Sequence, residues 1–194
     1  MTNDINTTRG NDPIHIQTPL CDDVCLSLRA GNMVLLSGDI YTARDAAHRR
    51  MYEALTNGLP LPVDLSATTI FYAAPSPTPA GKVIGSIGPT TSYRMDAFTP
   101  ALIEHGLRGM IGKGNRSPEV VEAIRKYGAV YFGAIGGIAA LTAQCVKRME
   151  LVAYEDLGPE AIRRLTVVDL PVVVINDSQG NDLYQSEQNK WRIL

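Results

Sequence analysis

The sequence predicts an α/β domain with a mixed central sheet flanked by helices. Three observations lead there. Short β-branched or apolar runs alternate with amphipathic helical stretches through the middle of the chain. Apolar strand-like runs then follow one another with little helix between them. Glycine, proline or asparagine marks most of the junctions. No internal repeat is visible, and 194 residues suit one domain with a substantial core.

The elements follow in order. Residues 1–18 are polar at their start and are expected to form a flexible arm, with a single domain over 19–194. A short helix is expected over 22–28, ended by Gly31, and a buried strand over 33–37. Gly38-Asp39 predicts a turn. A helix follows within 42–55, where Ala43, Ala46, Ala47, Met51 and Leu55 recur at helical spacing before Asn57-Gly58. Pro60 and Pro62 mark a connector, and β-branched and aromatic residues predict a strand over 68–73. After Pro75, Pro77 and Pro79, alternation over 83–87 predicts another strand. A helix over 94–105 stops at Gly106, and a strand over 109–111 opens into Gly112-Lys113-Gly114. Ser117-Pro118 is an N-cap followed by proline at the first helical position, so a helix runs to Tyr127 and stops at Gly128. Strands are expected over 129–132, 147–154, 165–168 and 172–176, with helices over 138–145 and 186–191 and a turn over 177–180.

Composition narrows the function classes. A net charge of −2 with no basic stripe argues against nucleic acid as the main partner. The most apolar stretch, 129–146, is interrupted by Gly133, Gly136, Gly137, Thr142 and Gln144, which makes it a poor membrane span. The N-terminus lacks the basic-then-apolar order of a signal peptide, and three cysteines form an odd set; both point to a reducing cytoplasm.

The most informative motif is Gly88-Pro89-Thr90-Thr91-Ser92-Tyr93-Arg94-Met95-Asp96, at an expected strand-to-helix junction. Free backbone N–H groups and the positive end of a helix dipole favour an anion at such a junction. One hydroxyl suffices to cap a helix, so Thr90, Thr91 and Ser92 exceed that need. Arg44, at the start of the 42–55 helix, opposes the dipole there. Either an anionic ligand or a pair with Asp45 or another acid explains its placement. Lys113 occupies a third strand exit. Together Arg44, Arg94 and Lys113 suggest a divided site for a dianion, since arginine grips a carboxylate bidentately and lysine acts as a mobile charge.

Other motifs carry less. Gly112-Lys113 is not a P-loop, because Gly114 follows the lysine and Gly106 lies one residue too far away. Gly133-Ala134-Ile135-Gly136-Gly137 misses the dinucleotide pattern. Cys21 and Cys25, four apart, share a helix face, but the charge of the adjacent Asp22 and Asp23 opposes an anionic iron–sulfur cluster, so the cysteines suit packing better than ligation. His15, His48 and His105 have no metal-ligand spacing, and His48 suits packing or capping better than the site.

Taken together, 43–48 (Ala-Arg-Asp-Ala-Ala-His), the 88–96 motif, Ile111-Gly112-Lys113-Gly114, Gly136-Gly137, 152–158 and Asn176-Asp177 with Gly180 closely resemble the class I iron–sulfur fumarate hydratase family. The match is to its C-terminal domain, or the β subunit of two-chain members, and runs from about Pro19 to Tyr184. The family includes the β subunit of L-tartrate dehydratase. The 43–48 motif is closer to the fumarase branch, whereas Tyr93 replaces the glycine usual there.

The resemblance implies a swivelling β/β/α domain that closes over a [4Fe–4S] cluster held by a separate α subunit. It implies that Arg44, Arg94 and Lys113, with Thr91 beside them, bind substrate carboxylates, and that Thr90 moves the proton. The activity implied is reversible hydration of fumarate to (S)-malate by a hydro-lyase that is inactive without its α chain, in a dimer or heterotetramer. The alternatives are dehydration of L-tartrate to oxaloacetate, or a stand-alone dicarboxylate-binding domain.

Overall fold

The computed structural model describes residues 12–192. Seven strands form one sheet: β1 (Ile14–Gln17), β2 (Met33–Thr42), β3 (Thr69–Phe71), β4 (Gly109–Gly112), β5 (Val130–Gly133), β6 (Val146–Ala153) and β7 (Ile162–Asn176). The helices are α1 (Asp22–Ser27), α2 (Asp45–Thr56), α3 (Thr99–Glu104), α4 (Pro118–Tyr127), α5 (Ala139–Cys145) and α6 (Leu183–Trp191). β1 through β5 run parallel, each paired with its successor. β7 lies antiparallel to both β5 and β2, which closes β2-β3-β4-β5-β7 into a barrel, and β6 adds to β7. The mixed sheet with flanking helices matches the fold class expected from sequence.

Side chains alternate between two apolar layers, as the period of two requires. Phe71, Ile111, Val130, Phe132, Leu165 and Val174 point into one core. Ile70, Tyr72, Met110, Tyr131 and Ile175 point the other way, against Ala47, Met51, Leu102, Ile103, Val120 and Ile124 of α2, α3 and α4. β3, β4 and β5 are therefore buried on both faces, which explains their continuous apolar character. Ser117 caps α4 by accepting from the Val120 N–H, and Gly128 closes it at φ 70°.

Several elements differ from expectation, each for a physical reason. Part of the expected arm, 1–11, lies outside the described residues, and its later part contains β1, because Ile14 and Ile16 pair alongside β2. Gly38-Asp39 is a bulge within a longer β2 and not a turn. There Gly38 takes φ 108°, and a Cβ would lie 3.0 Å from the Thr18 carbonyl oxygen. Residues 83–87 belong to no strand, although Ile84 and Ile87 are buried. Their backbone is tied instead by bonds from Ser76 N to Ser86 O and from Ile87 N to Ala139 O.

The helix expected over 94–105 divides into a 3-10 turn, Ser92–Met95, and α3. Pro100 explains the division, since it fits only the first turn of a helix. The two strands expected over 165–176 are one strand, β7, that carries Asp169 at φ 51° and Pro171 between its halves. Both halves pair with β2 along one edge, while on the other edge the first half pairs with β6 and the second with β5, which closes the barrel. No helix among the described residues is long and apolar enough to cross a membrane.

Candidate functional site

β2, β3 and β4 end side by side at Thr42, Phe71 and Gly112, and the chain leaves each of them on the same edge of the sheet. In parallel sheets this C-terminal edge is where ligands gather, because the loops there converge. Arg44 follows β2, Lys113 follows β4, and the Thr90–Arg94 loop lies between them.

Backbone hydrogen bonds fix that loop. Thr90 N–H donates to the Tyr72 carbonyl at 2.6 Å, Lys113 N–H donates to the Thr90 carbonyl at 3.3 Å, and Ser92 N–H donates to the Lys113 carbonyl at 2.9 Å. Thr91 and Lys113 are thereby paired like a short parallel ladder. None of the three hydroxyl residues caps a helix with its side chain: Thr91 precedes the 3-10 turn without a side-chain bond, and Phe98 precedes α3. Ser92 is buried, with its Oγ 2.9 Å from the Tyr131 hydroxyl. Tyr131 in turn donates to the Gly114 carbonyl at 2.9 Å, so the Ser92 hydroxyl is the donor in their pair. This chain of bonds clamps the two loops together, and a Cβ at Gly112 would overlap Ser92 Oγ.

On the other side, Arg94 Nε donates to Asp45 Oδ1 at 2.8 Å, which ties the loop to the start of α2. Arg44 is the N-cap residue of α2, not part of its first turn. Its Nη2 lies 3.4 Å from Glu160 and its Nε 3.9 Å from Asp45. Glu160 also accepts the Ala46 N–H at 3.0 Å, so a carboxylate satisfies the positive end of the helix. Arg44 thus has acidic neighbours within the chain. Arg94 is 43% exposed at its side chain, and Lys113 and Tyr93 are exposed too, so the cations look out from an open face. The five residues singled out from sequence (Arg44, Thr90, Thr91, Arg94 and Lys113) thus border one another through shared partners.

His48 is not among them. It is fully buried, its Nδ1 donates to the Arg44 carbonyl at 3.0 Å, and its ring meets Tyr72 edge-on at 5.1 Å. Burial pushes its pKa down to about 4, with the nearby Arg116 charge adding to the effect. The ring is therefore neutral and serves packing.

Sequence reasoning missed Arg116 and Asp96. Arg116 is buried beneath the loops and donates to Asp96 Oδ1 at 2.8 Å and to Thr99 Oγ1 at 3.1 Å. Its guanidinium also lies 4.8 Å from the Tyr131 ring centre. Asp96 Oδ2 accepts the Ser117 N–H at 2.6 Å. Burial opposes the Arg116 charge, but Tyr72, Asp96 and Tyr131 outweigh it and hold its pKa above the ordinary value. No local pattern marks a pair 20 residues apart.

The residues of this chain do not fit an iron–sulfur cluster. Cys25 is buried, with its thiol pushed up to about 12 by burial, and Cys145 is also raised by burial. Cys21 and Cys25 follow Leu20, whose N–H donates to the Ala67 carbonyl near the opposite, N-terminal end of β3. Among the described residues, no group of three or more His, Cys, Asp or Glu could hold a metal ion.

Comparison with known proteins gives a consistent set. Residues 2–187 match the family model described as Fumarase C-terminus. Over 157 residues the chain is 45% identical to the anaerobic class I fumarate hydratase of Escherichia coli (strain K12), covering 80% of this chain and 29% of that protein. Mitochondrial fumarate hydratase 1 of Leishmania major is 44% identical over 152 residues, 77% of this chain and 28% of its own length. A protein of Methanocaldococcus jannaschii named as the beta subunit of L(+)-tartrate dehydratase is 40% identical over 169 residues, 84% of this chain and 87% of its own. The chain thus spans 27% to 34% of the fumarate hydratases it matches, and 87% of the M. jannaschii subunit.

Proposed function

The chain belongs to the Fumarase C-terminus family, and from that membership we propose that it is the β subunit of a class I fumarate hydratase. In this reading it acts with a separate, cluster-bearing α subunit to interconvert fumarate and (S)-malate. The observation that carries the reading is the meeting of the Thr90–Arg94 loop with Lys113 on one side and the Arg44 helix on the other. Arg44, Arg94 and Lys113 with two hydroxyls offer N–H and O–H donors to a small dianion, although Asp45 and Glu160 already face the two arginines. The M. jannaschii relative, which is named as a subunit, supports a two-chain organisation.

The division of labour follows from the side chains. Arg44 and Arg94 bind one carboxylate of the substrate, Lys113 supplies a mobile charge for the other, and Thr91 lines the site. Thr90 Oγ1 moves the proton at the carbon beside a carboxylate, while the hydroxyl group is exchanged at the neighbouring carbon. A threonine hydroxyl is a weak base, so a group from the α subunit has to assist it. The iron–sulfur cluster that class I enzymes use is assigned to the α subunit, since the cysteines here do not fit it. Three unpaired cysteines suit a reducing compartment, and the cytoplasm is the setting proposed.

The M. jannaschii relative motivates a second reading, in which the substrate is L-tartrate. The test is an anaerobic assay of the assembled pair with fumarate, (S)-malate and L-tartrate. Preferred turnover of fumarate and malate supports the first reading. Preferred turnover of L-tartrate replaces it with the second, and turnover of none of them leaves a binding domain.

A further inference from the structure

Asp45 stands between two arginines of the proposed site. Its Oδ1 accepts from Arg94 Nε at 2.8 Å, and its Oδ2 lies 3.9 Å from Arg44 Nε. Among the described residues neither Asp45 Oδ2 nor Arg44 Nε has a hydrogen-bond partner, although both atoms are buried. Glu160 holds the far side of Arg44 and the Ala46 N–H. Two guanidinium groups and two carboxylates therefore cancel, which leaves Lys113 as the surplus positive charge of the set.

The atom that Arg94 uses matters. A guanidinium offers a carboxylate two parallel N–H groups either from its terminal nitrogens or from Nε and one of them. Asp45 occupies Nε, so the edge made by the two terminal nitrogens is the one left for a ligand. A long side chain that is 43% exposed would otherwise sample many rotamers, and ordering it on binding costs free energy.

We propose that Asp45 is a positioning residue for substrate binding: it selects the edge of Arg94 that meets a carboxylate and couples the setting of Arg94 to that of Arg44. This rests on the dicarboxylate reading above. Asp45 orients Arg94 without competing for it, because its bond is to Nε and no described residue bonds the terminal nitrogens.

A double-mutant cycle in the assembled two-chain enzyme tests the idea. Asp45→Ala raises KM for (S)-malate about tenfold, with kcat changed less than about threefold. The same substitution in an Arg94→Ala background changes KM by less than about twofold, because its route of action is gone. Asp45→Glu restores part of the loss. An equal cost in both backgrounds marks Asp45 as merely structural and overturns the proposal, and a lowered KM overturns it in favour of competition. If Arg94→Ala alone leaves KM unchanged, the dicarboxylate reading itself fails.

A second measurement needs no partner. In nitrogen-15 NMR spectra of the full chain, the Arg94 Nε–H signal is expected to be slowed in solvent exchange, and Asp45→Asn, which keeps the volume, removes the charge that slows it. An unchanged signal in Asp45→Asn contradicts the contact on which the proposal depends.

Discussion

At the residue scale, Thr90 and His48 give opposite kinds of prediction. Thr90 is held by its backbone, through Tyr72 and Lys113, so its side chain is free for chemistry without a structural cost. Thr90→Val keeps the shape and removes the hydroxyl. In the assembled enzyme it should lower kcat by about two to four orders of magnitude, the usual range for a lost acid–base group, with thermal unfolding unchanged. A rate within a factor of a few of wild type removes Thr90 from proton transfer.

His48 bears on stability instead. The unfolded chain protonates it near 6.5, whereas the folded chain resists protonation until about 4. The neutral ring's contribution is therefore intact above pH 6.5 and is lost as pH falls toward 4, to an extent of about 3 kcal/mol. Arg116 and Asp45 are the charges that face it, with opposite effects. Chemical denaturation from pH 7 to 4 should show a shallower loss for His48→Phe than for wild type; equal slopes refute this. Arg44, Arg94 and Lys113 stand out in the sequence because each lies at an element junction, and the structure places them along one edge of the sheet. Arg116 was not, because Asp96 and Thr99, which make sense of its burial, come from another segment.

At the scale of elements, the site depends on two loops held from below. Ser92, Tyr131 and Gly114 form one clamp, and Arg116 with Asp96 forms the other. Removing one member of a buried ion pair leaves a stranded charge, so Asp96→Ala should cost about 3–5 kcal/mol. It should also free the Ser117 N–H at the start of α4. Denaturant titration measures the loss, and a cost under about 1 kcal/mol would mean that water compensates Arg116 after all. Elements with strong punctuation were readable: α4, with Ser117, Pro118 and Gly128, emerges where its caps place it. Residues 83–87 have the alternation of a strand but no partner strand beside them. Alternation reports burial of one face, and pairing is decided by distant chain. The unity of β7 was hidden for the same reason, since only the closed barrel explains why Asp169 and Pro171 do not end it.

At the scale of the whole molecule, a partly closed barrel carries a cationic face on the C-terminal edge of its parallel strands, and that face is open. Its exposed arginine and lysine and the misfit of its cysteines to a cluster suit the proposed half of an active site. The fold class was readable from the order of elements, but barrel closure was not, since it rests on β2 and β7, which lie far apart in the sequence. The most direct test is to titrate this chain into a purified, anaerobically prepared cluster-bearing α subunit and follow hydration of fumarate. The rate should be negligible for either chain alone and rise with added chain until the two are equimolar. Turnover by this chain without the α subunit, or by the α subunit at a rate this chain does not change, would contradict its role as the second half of the site.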